Sequence, residues 1–432
     1  MNFFKKQKEN TVSPLRTLPF DEADRQRALL RKSFDIYCGK APWLSTGTRS
    51  LNLAASICSE ITRLCLCEMN LSYLNPPKTE RENALSKFSG SLSRALEYAC
   101  ACGSVIFKPS FDGKELSVCT VLPFDFYPIS YFCDGSIKEC GFVFRQSIGS
   151  KNYVRIEEHR MNEDGYVITN EAFIDNSSSL TPCPLNAVPS WSALTTKCCI
   201  KGLRRPLFVC FSTPQCNCDS SSLSLGTPVF RRAEGLIKEA DMQFERLVWE
   251  FEGGELAIDA SEDAFRVGKD GKPKLPTGKE RLYRTILLDS CCSTNELLKT
   301  FSPSLRDTSL INGLNRILMF VEDTCGLSRG TFSDPNEIAT TATEVRSSKQ
   351  KTFCTVTALQ KSLKSSLYEL YFVLKDLCTL YCLPCDNNEL NISFGDSVLN
   401  DSDSLREAQR EDVIAGIISA DEYKNIWYDQ NK

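Results

Sequence analysis

The side chains whose type and spacing could do chemistry are 22 cysteines, a single histidine, and small groups of aspartates and lysines. Cys216 with Cys218, and Cys382 with Cys385, are the close pairs that have half the spacing of a metal site. A structural zinc site takes four nitrogen or sulfur ligands, and these pairs lie far apart in the chain with only His159 to add to them. Core or loop thiols are the simpler reading, because reduced cysteine behaves as a small hydrophobe. Cys382-Leu-Pro-Cys385 has the spacing of a redox dithiol, but it falls at the C-terminal end of a helix, whereas a reactive thiolate is stabilised at an N-terminus. His159 stands in a strand with no matched serine or cysteine nucleophile and reads as a satisfied strand residue rather than a base. Asp396, Asp401 and Asp403 fit neither a calcium loop nor a facial triad; they read as an acidic turn and a helix cap. There is no G-x-x-x-x-G-K-[ST] loop and no strand–G-x-G-x-x-G–helix unit, so the chain carries no nucleotide-hydrolysing motif of those kinds. The reading is a protein that is not an enzyme and takes no metal or cofactor.

Two segments offer binding instead. Lys269, Lys272, Lys274 and Lys279 cluster in a turn-rich stretch; they are either a solvated loop or a contact to DNA or an acidic partner. Residues 326–335 form a loop of mixed charge, with Arg329 and Asp334, that runs on to Glu337, Glu344, Arg346, Lys349 and Lys351. It is either a plain interhelical loop or a mobile one at a constriction, touching phosphates without reading bases. The net charge is −4 with a pI of about 5.5, whereas sequence readers of DNA are strongly basic. Any DNA contact is therefore loose, because few phosphates would be neutralised. No apolar run reaches membrane-spanning length, and the start, with Lys5, Lys6, Lys8 and Glu9, has no signal-peptide core. Synthesis in the cytoplasm is expected.

The elements that must position these residues read as follows. Helices are expected at 21–34, at 50–69 with Leu53, Ala54, Ile57, Ile61, Leu64 and Cys65 on one face, and at 80–101 ending on Gly103. A meander of short strands follows at 104–109, 115–122, 137–147, 152–160 and 166–175, separated by Asp112-Gly113, Asp134-Gly135 and Asp164-Gly165 turns. Residues 176–226 look irregular. Thr227-Pro228 reads as an N-cap with proline at the first helical position, opening a helix that Gly253-Gly254 stops; Glu234 and Lys238 are a favourable pair on it. Strand pieces at 255–259 and 281–288 make a small β insertion, and a helix follows at about 303–324. From Asn336 to Leu383 there is neither glycine nor proline, which predicts a helix of roughly 60 Å that Pro384 ends. A strand at 390–394 and two short helices close the chain. The fold class is α+β.

This layout resembles the portal family of tailed bacteriophages, in the branch with long non-contractile tails, over nearly the whole chain. The residues that carry the resemblance are Ile36-Tyr37-Cys38-Gly39 with Trp43, LNLAASICSEITRLCLCE at 51–68, ALEYACACGSVIFKP at 95–109, Ala260–Phe265, ISFGDSV at 392–398 and DVIAGIISADEY at 412–423. The most specific is GLSRGTFSDPNEIATTATEVRSSKQK at 326–351, similar to the family's tunnel loop and the start of its long helix. The resemblance implies an α/β wing (1–226), a stem helix (227–253), a small β clip (254–302), a second stem helix (303–325), a tunnel loop (326–340), a long kinked wing helix (341–384) and a short C-terminal crown (385–432). It further implies a dodecameric ring at one capsid vertex of the virion, a channel for double-stranded DNA in packaging and ejection. The clip would dock terminase and later head–tail connector proteins, and the ring would sit in the major capsid protein shell. Arg329, Thr331, Phe332, Ser333 and Asn336 would form the narrowest ring, and Lys269, Lys272 and Lys274 would lie near the channel exit. The cysteine content departs from the family. A helical scaffold or adaptor of the virion without a channel, and a metal-dependent nucleic-acid enzyme, remain as alternatives.

Overall fold

The computed structural model describes residues 20–44, 49–76, 79–163, 165–176, 179–217, 225–261, 283–286, 298–334, 342–385, 388–395, 409–414, 418–419 and 423. It is mixed α+β, 43% helical and 27% strand. Helix α1 (Phe20–Tyr37) ends at Gly39, φ 70°, with Gly39 N–H on Ile36 O and Lys40 N–H on Asp35 O. This is a Schellman turn, which satisfies carbonyls the helix end leaves open. Helix α2 (Leu53–Leu66) buries the expected stripe, including Ile57, Cys58, Ile61 and Cys65. The segment between this helix and the one expected from residue 80, for which no strand was expected, holds strand β1 (Met69–Tyr73).

The helix expected over 80–101 is two helices. A capping box of Thr79 and Glu82 opens α3 (Glu80–Ser89), and α4 (Leu92–Cys102) follows a break at Gly90-Ser91. Ser91 donates to Phe88 O through both its N–H (2.8 Å) and its Oγ (2.9 Å), which tightens the turn and stops the first helix. Leu85, Phe88, Leu92, Leu96 and Ala99 are nevertheless all buried, so the apolar period survives the break and conceals it in the sequence. Gly103, φ 86°, ends α4 as expected. A Cβ there would lie 2.4 Å from Gly226 O, so the position demands glycine for space as well as for backbone.

The strands divide into separate sheets. β2 (Ser104–Phe111) and β3 (Leu116–Val121) join β10 (Val209–Ser212) in the order β10-β2-β3. β4 (Phe126–Tyr131), β5 (Ile137–Ile148), β6 (Lys151–Asn162), β7 (Gly165–Asp175) and β8 (Leu180–Cys183) lie in sequence order as an antiparallel meander, with β9 (Lys197–Ile200) also on β7. Two of the three expected Asp-Gly turns are present: Gly113 and Gly135 have φ of 91° and 85°, and Asp112 and Asp134 accept backbone N–H bonds through their carboxylates; Asp164 of the third lies outside the described residues. The stretch expected to be irregular therefore contains β8, β9 and β10. Each is four residues long, too short to show a period, and strand pairing rather than local preference makes it a strand.

Helix α5 (Glu234–Gly253) begins later than the Thr227-Pro228 signal predicts. Thr227 is buried and its carbonyl accepts the Thr213 hydroxyl at 2.7 Å, so it is held against the sheet end; Arg231–Ala233 then forms a short 3₁₀ turn before the helix. β11 (Ala257–Ser261) pairs in parallel with β12 (Tyr283–Ile286), on the two expected strand pieces, and antiparallel with β13 (Leu298–Phe301), a strand that was not expected. Helix α6 (Asp307–Cys325) runs back along α5. Gln243 Nε2 donates to Leu310 O at 3.1 Å, and Arg306 donates to Glu250 through its N–H, Nε and Nη2 at 3.0, 3.1 and 2.6 Å. Helix α7 (Ala342–Leu380) is continuous over 39 residues, about 58 Å. It buries Val356, Leu363, Leu367, Leu370, Leu374 and Leu377 in the main core, shared with α1 to α4, β2 and β10. β14 (Leu390–Phe394) pairs with β1. Among the described residues no helix is long and apolar enough to cross a membrane.

Candidate functional site

The loop after α6 is built around one carboxylate. Gly326, φ 75°, closes α6 with a second Schellman turn, Leu327 N–H on Glu322 O at 2.8 Å and Gly326 N–H on Asp323 O at 3.4 Å. The chain then folds back over the helix end. Glu322 has no exposed surface, and its carboxylate accepts Gly330 N–H (3.2 Å), Phe332 N–H (2.5 Å), Ser333 N–H (2.8 Å) and Ser333 Oγ–H (2.8 Å). Asn315, also buried, accepts Asp334 N–H at 2.7 Å. On its other side the loop lies on α7. Thr352 Oγ1 accepts Ser328 N–H at 2.7 Å, and Thr355 Oγ1 donates to Gly326 O at 2.9 Å. A Cβ on Gly326 would meet Thr355 Oγ1 at 2.4 Å, so this approach requires glycine.

The residues singled out from sequence separate into an outer and an inner set. Arg329 is half-exposed and donates to Asp323 Oδ2 through Nε and Nη2, at 3.1 and 2.8 Å, and Lys351 reaches Asp323 Oδ1 at 3.3 Å. Partial burial raises the Asp323 carboxyl, but the hydrogen bonds from Arg329 and Lys351 overcome it and hold the group below the usual carboxylate range. Thr331 is half-buried and donates to Ser328 O at 2.6 Å. Phe332 packs against the main core, and Ser333 is buried with its hydroxyl on Glu322. Asn336, and Lys269, Lys272, Lys274 and Lys279, lie outside the described residues, as do Cys218 and the aspartates at 396, 401 and 403. The loop can present Arg329 and Lys351 to an anion, each already partly neutralised by Asp323.

Around His159 the structure assembles a second polar group that sequence reading missed. Arg155, Glu157 and His159 alternate along β6 and so share one face; Lys108 comes from β2, and Tyr166 and Asn170 come from β7. Glu157 takes Lys108 Nζ at 2.8 Å, Arg155 Nη1 at 2.7 Å and His159 Nε2 at 2.7 Å. His159 Nδ1 meets Tyr166 Oη at 2.7 Å, and Tyr166 Oη accepts Leu207 N–H at 3.0 Å. Burial lowers the His159 pKa against the pull of Glu157, so the ring is neutral, with Nε2–H donating to Glu157 and Nδ1 accepting from Tyr166. Burial works against the Glu157 charge too, but Lys108, His159 and Arg155 hold it well below its ordinary value. Phe142 and Phe208 pack edge-on against the imidazole, at 5.2 and 5.9 Å. The group therefore stores charge between strands. The signal available in sequence was the period-two run Arg155, Glu157, His159, but a run of that kind on a solvated strand face looks the same.

Among the described residues no group of three or more His, Cys, Asp or Glu side chains is placed to hold a metal. The described cysteines are all outside disulfides, and many, such as Cys58, Cys100 and Cys140, are buried. No protein-family model matches the chain. No curated protein matches it either.

Proposed function

We propose that this chain is the subunit of a head-to-tail ring that conducts double-stranded DNA at a capsid vertex, a portal protein. Its element order supports the reading: two packed antiparallel helices, α5 and α6, flank a small sheet, and a compact loop then leads into a 39-residue helix. The observation that carries it is the distribution of exposed apolar side chains on that helix pair. Trp249 (65% exposed) stands out from α5, and Ile311 and Phe320 (46% and 55%) from α6. Ile311 and Phe320 are nine residues apart, two and a half turns at 3.6 residues per turn, so they point to opposite sides of one helix. Ile311 and Phe320 thus give α6 one exposed apolar side chain on each of two sides; a heterologous contact uses two different surfaces, whereas a two-fold dimer uses a single self-complementary one. In this reading Arg329 and Lys351 make loose phosphate contacts, weakened by Asp323, which favours sliding over capture. The clip, including Lys269, Lys272 and Lys274, meets terminase and connector proteins.

The test is the native mass of the full chain with class averages by electron microscopy. A large ring with an axial hole near the width of a DNA duplex is expected. A closed dimer or trimer overturns the reading in favour of a virion scaffold or adaptor. A monomer that stays monomeric when co-expressed with its capsid proteins overturns it as well.

A further inference from the structure

A cavity of about 190 Å³ lies where α2, the segment between β10 and α5, and α7 meet. Ile61, Val229 and Leu359 form its buried floor. Thr355, Ala358 and Gln215 are half-buried walls, and Pro214 is exposed at the mouth. None of these side chains is charged, and two are polar. The Thr355 hydroxyl is committed: it donates to Gly326 O at 2.9 Å and to Lys351 O at 3.1 Å. Gln215 is not committed in this way. Its Oε1 is shut off from solvent and accepts no hydrogen bond from the described residues. A buried amide oxygen without a donor has lost its water and gained nothing in return, and a ligand that supplies a donor recovers that loss. The last torsion of a glutamine side chain is soft, so the amide can turn toward the cavity that it lines.

We propose that this cavity is a binding site for a small neutral molecule with an apolar body and one N–H or O–H donor, of the indole or phenol class. An apolar cavity of about 150 Å³ takes up benzene, so this one has room for a ring system of indole's size. The apolar body covers Ile61, Val229 and Leu359, and the donor meets Gln215 Oε1. An ionic ligand would give up its hydration with no opposite charge in the lining to replace it. The site is joined to the loop at 326–334 through Thr355. That side chain stands in the cavity wall with its hydroxyl on Gly326 O, and a Cβ on Gly326 would approach the same oxygen to 2.4 Å. A ligand packed against Thr355 therefore steadies the entry to the loop, where Leu327 N–H bonds Glu322 O and Ser328 N–H bonds Thr352 Oγ1. The inference does not depend on how copies of the chain assemble.

The experiment titrates the full chain, methyl-labelled at isoleucine, leucine and valine, with indole and with indene, which has the same bicyclic frame without the N–H. Saturable shifts of the Ile61, Val229 and Leu359 methyl signals are expected with both. Indole should bind roughly tenfold tighter, the worth of one hydrogen bond, and should slow hydrogen exchange at Leu327 and Ser328. Ala358→Leu, which fills the cavity and suits a helix, should abolish the shifts. Gln215→Leu should reduce indole to the affinity of indene. Shifts absent from all three methyls, or unchanged in Ala358→Leu, overturn the site. Equal affinities for indole and indene in the unaltered chain overturn the role given to Gln215. The titration of the unaltered chain decides even if Ala358→Leu folds poorly.

Discussion

Glu322 is a carboxylate with no exposed surface and four donors, three of them backbone N–H groups of one loop. Remove its oxygens and those donors are left buried without an acceptor, at about 1–3 kcal/mol for each group that water cannot reach. Glu322→Ala should therefore lower unfolding stability by about 3 kcal/mol and release the amides of Gly330, Phe332 and Ser333 to hydrogen exchange. Glu322→Gln, which keeps one acceptor, should cost less on both readouts. His159 makes a different residue-scale prediction. Burial lowers its folded pKa below the unfolded value of about 6.5. Above that pH the contribution is complete, and as pH falls the unfolded chain takes a proton that the folded chain refuses, so stability declines by at most about 1.4 kcal/mol per pH unit. Glu157, held low, acts in the same direction but only at far lower pH. Because His159 is the only histidine, denaturant midpoints at pH 7 and pH 5.5 should differ in the unaltered chain. Most of that difference should vanish in His159→Gln; an unchanged difference would place the titrating group elsewhere.

At the scale of elements, most helices were legible because their apolar residues step by three and four and glycine closes them: Gly39, Gly103 and Gly326 all adopt positive φ at helix ends. What failed was local signal contradicted by packing. The break at Gly90-Ser91 hides under a continuous apolar stripe, and Thr227-Pro228, a sound cap by its residue types, is drawn into the sheet by Thr213. β1 was missed because its partner is β14, more than 300 residues away, and no local rule sees a partner at that distance. The loop at 326–334 was legible as a loop, but the carboxylate that holds it was not, since Glu322 reads as an ordinary polar position on α6. Asp241 is the same kind of residue. It is buried on α5 and accepts Trp43 Nε1–H at 2.9 Å, Ser50 Oγ–H at 3.1 Å and Leu51 N–H at 2.8 Å, which joins α5 to the segment before α2. Asp241→Ala should destabilise by about 3 kcal/mol through these orphaned donors, whereas Asp241→Asn should keep part of the joint; equal midpoints for both variants would mean that the carboxylate holds nothing. Cys382 marks the opposite case, a left-handed position without glycine. Cys382→Gly should raise the denaturant midpoint by up to about 1 kcal/mol of stability, the relieved Cβ strain being partly offset by the freer unfolded chain.

At the scale of the whole molecule the proposed head-to-tail ring sets how copies would meet. Ile311 and Phe320 are both exposed on α6 yet point to opposite sides of it, so in a head-to-tail assembly each belongs to a different interface. An exposed apolar anchor that becomes buried at a contact is worth about 2–3 kcal/mol or more, so Ile311→Glu or Phe320→Glu should weaken its own interface roughly a hundredfold and, at micromolar protein, leave monomers. The informative experiment is the mixture. One variant keeps the Phe320 side intact and the other keeps the Ile311 side, so each pair of unlike subunits can form one undamaged contact and then no more. Native mass spectrometry of the mixture should show a one-to-one heterodimer that grows no further, while each variant alone stays monomeric. A mixture that remains monomeric would mean that the two residues do not lie on complementary faces. Rings formed by either variant alone would mean that its substituted side chain is outside the contact.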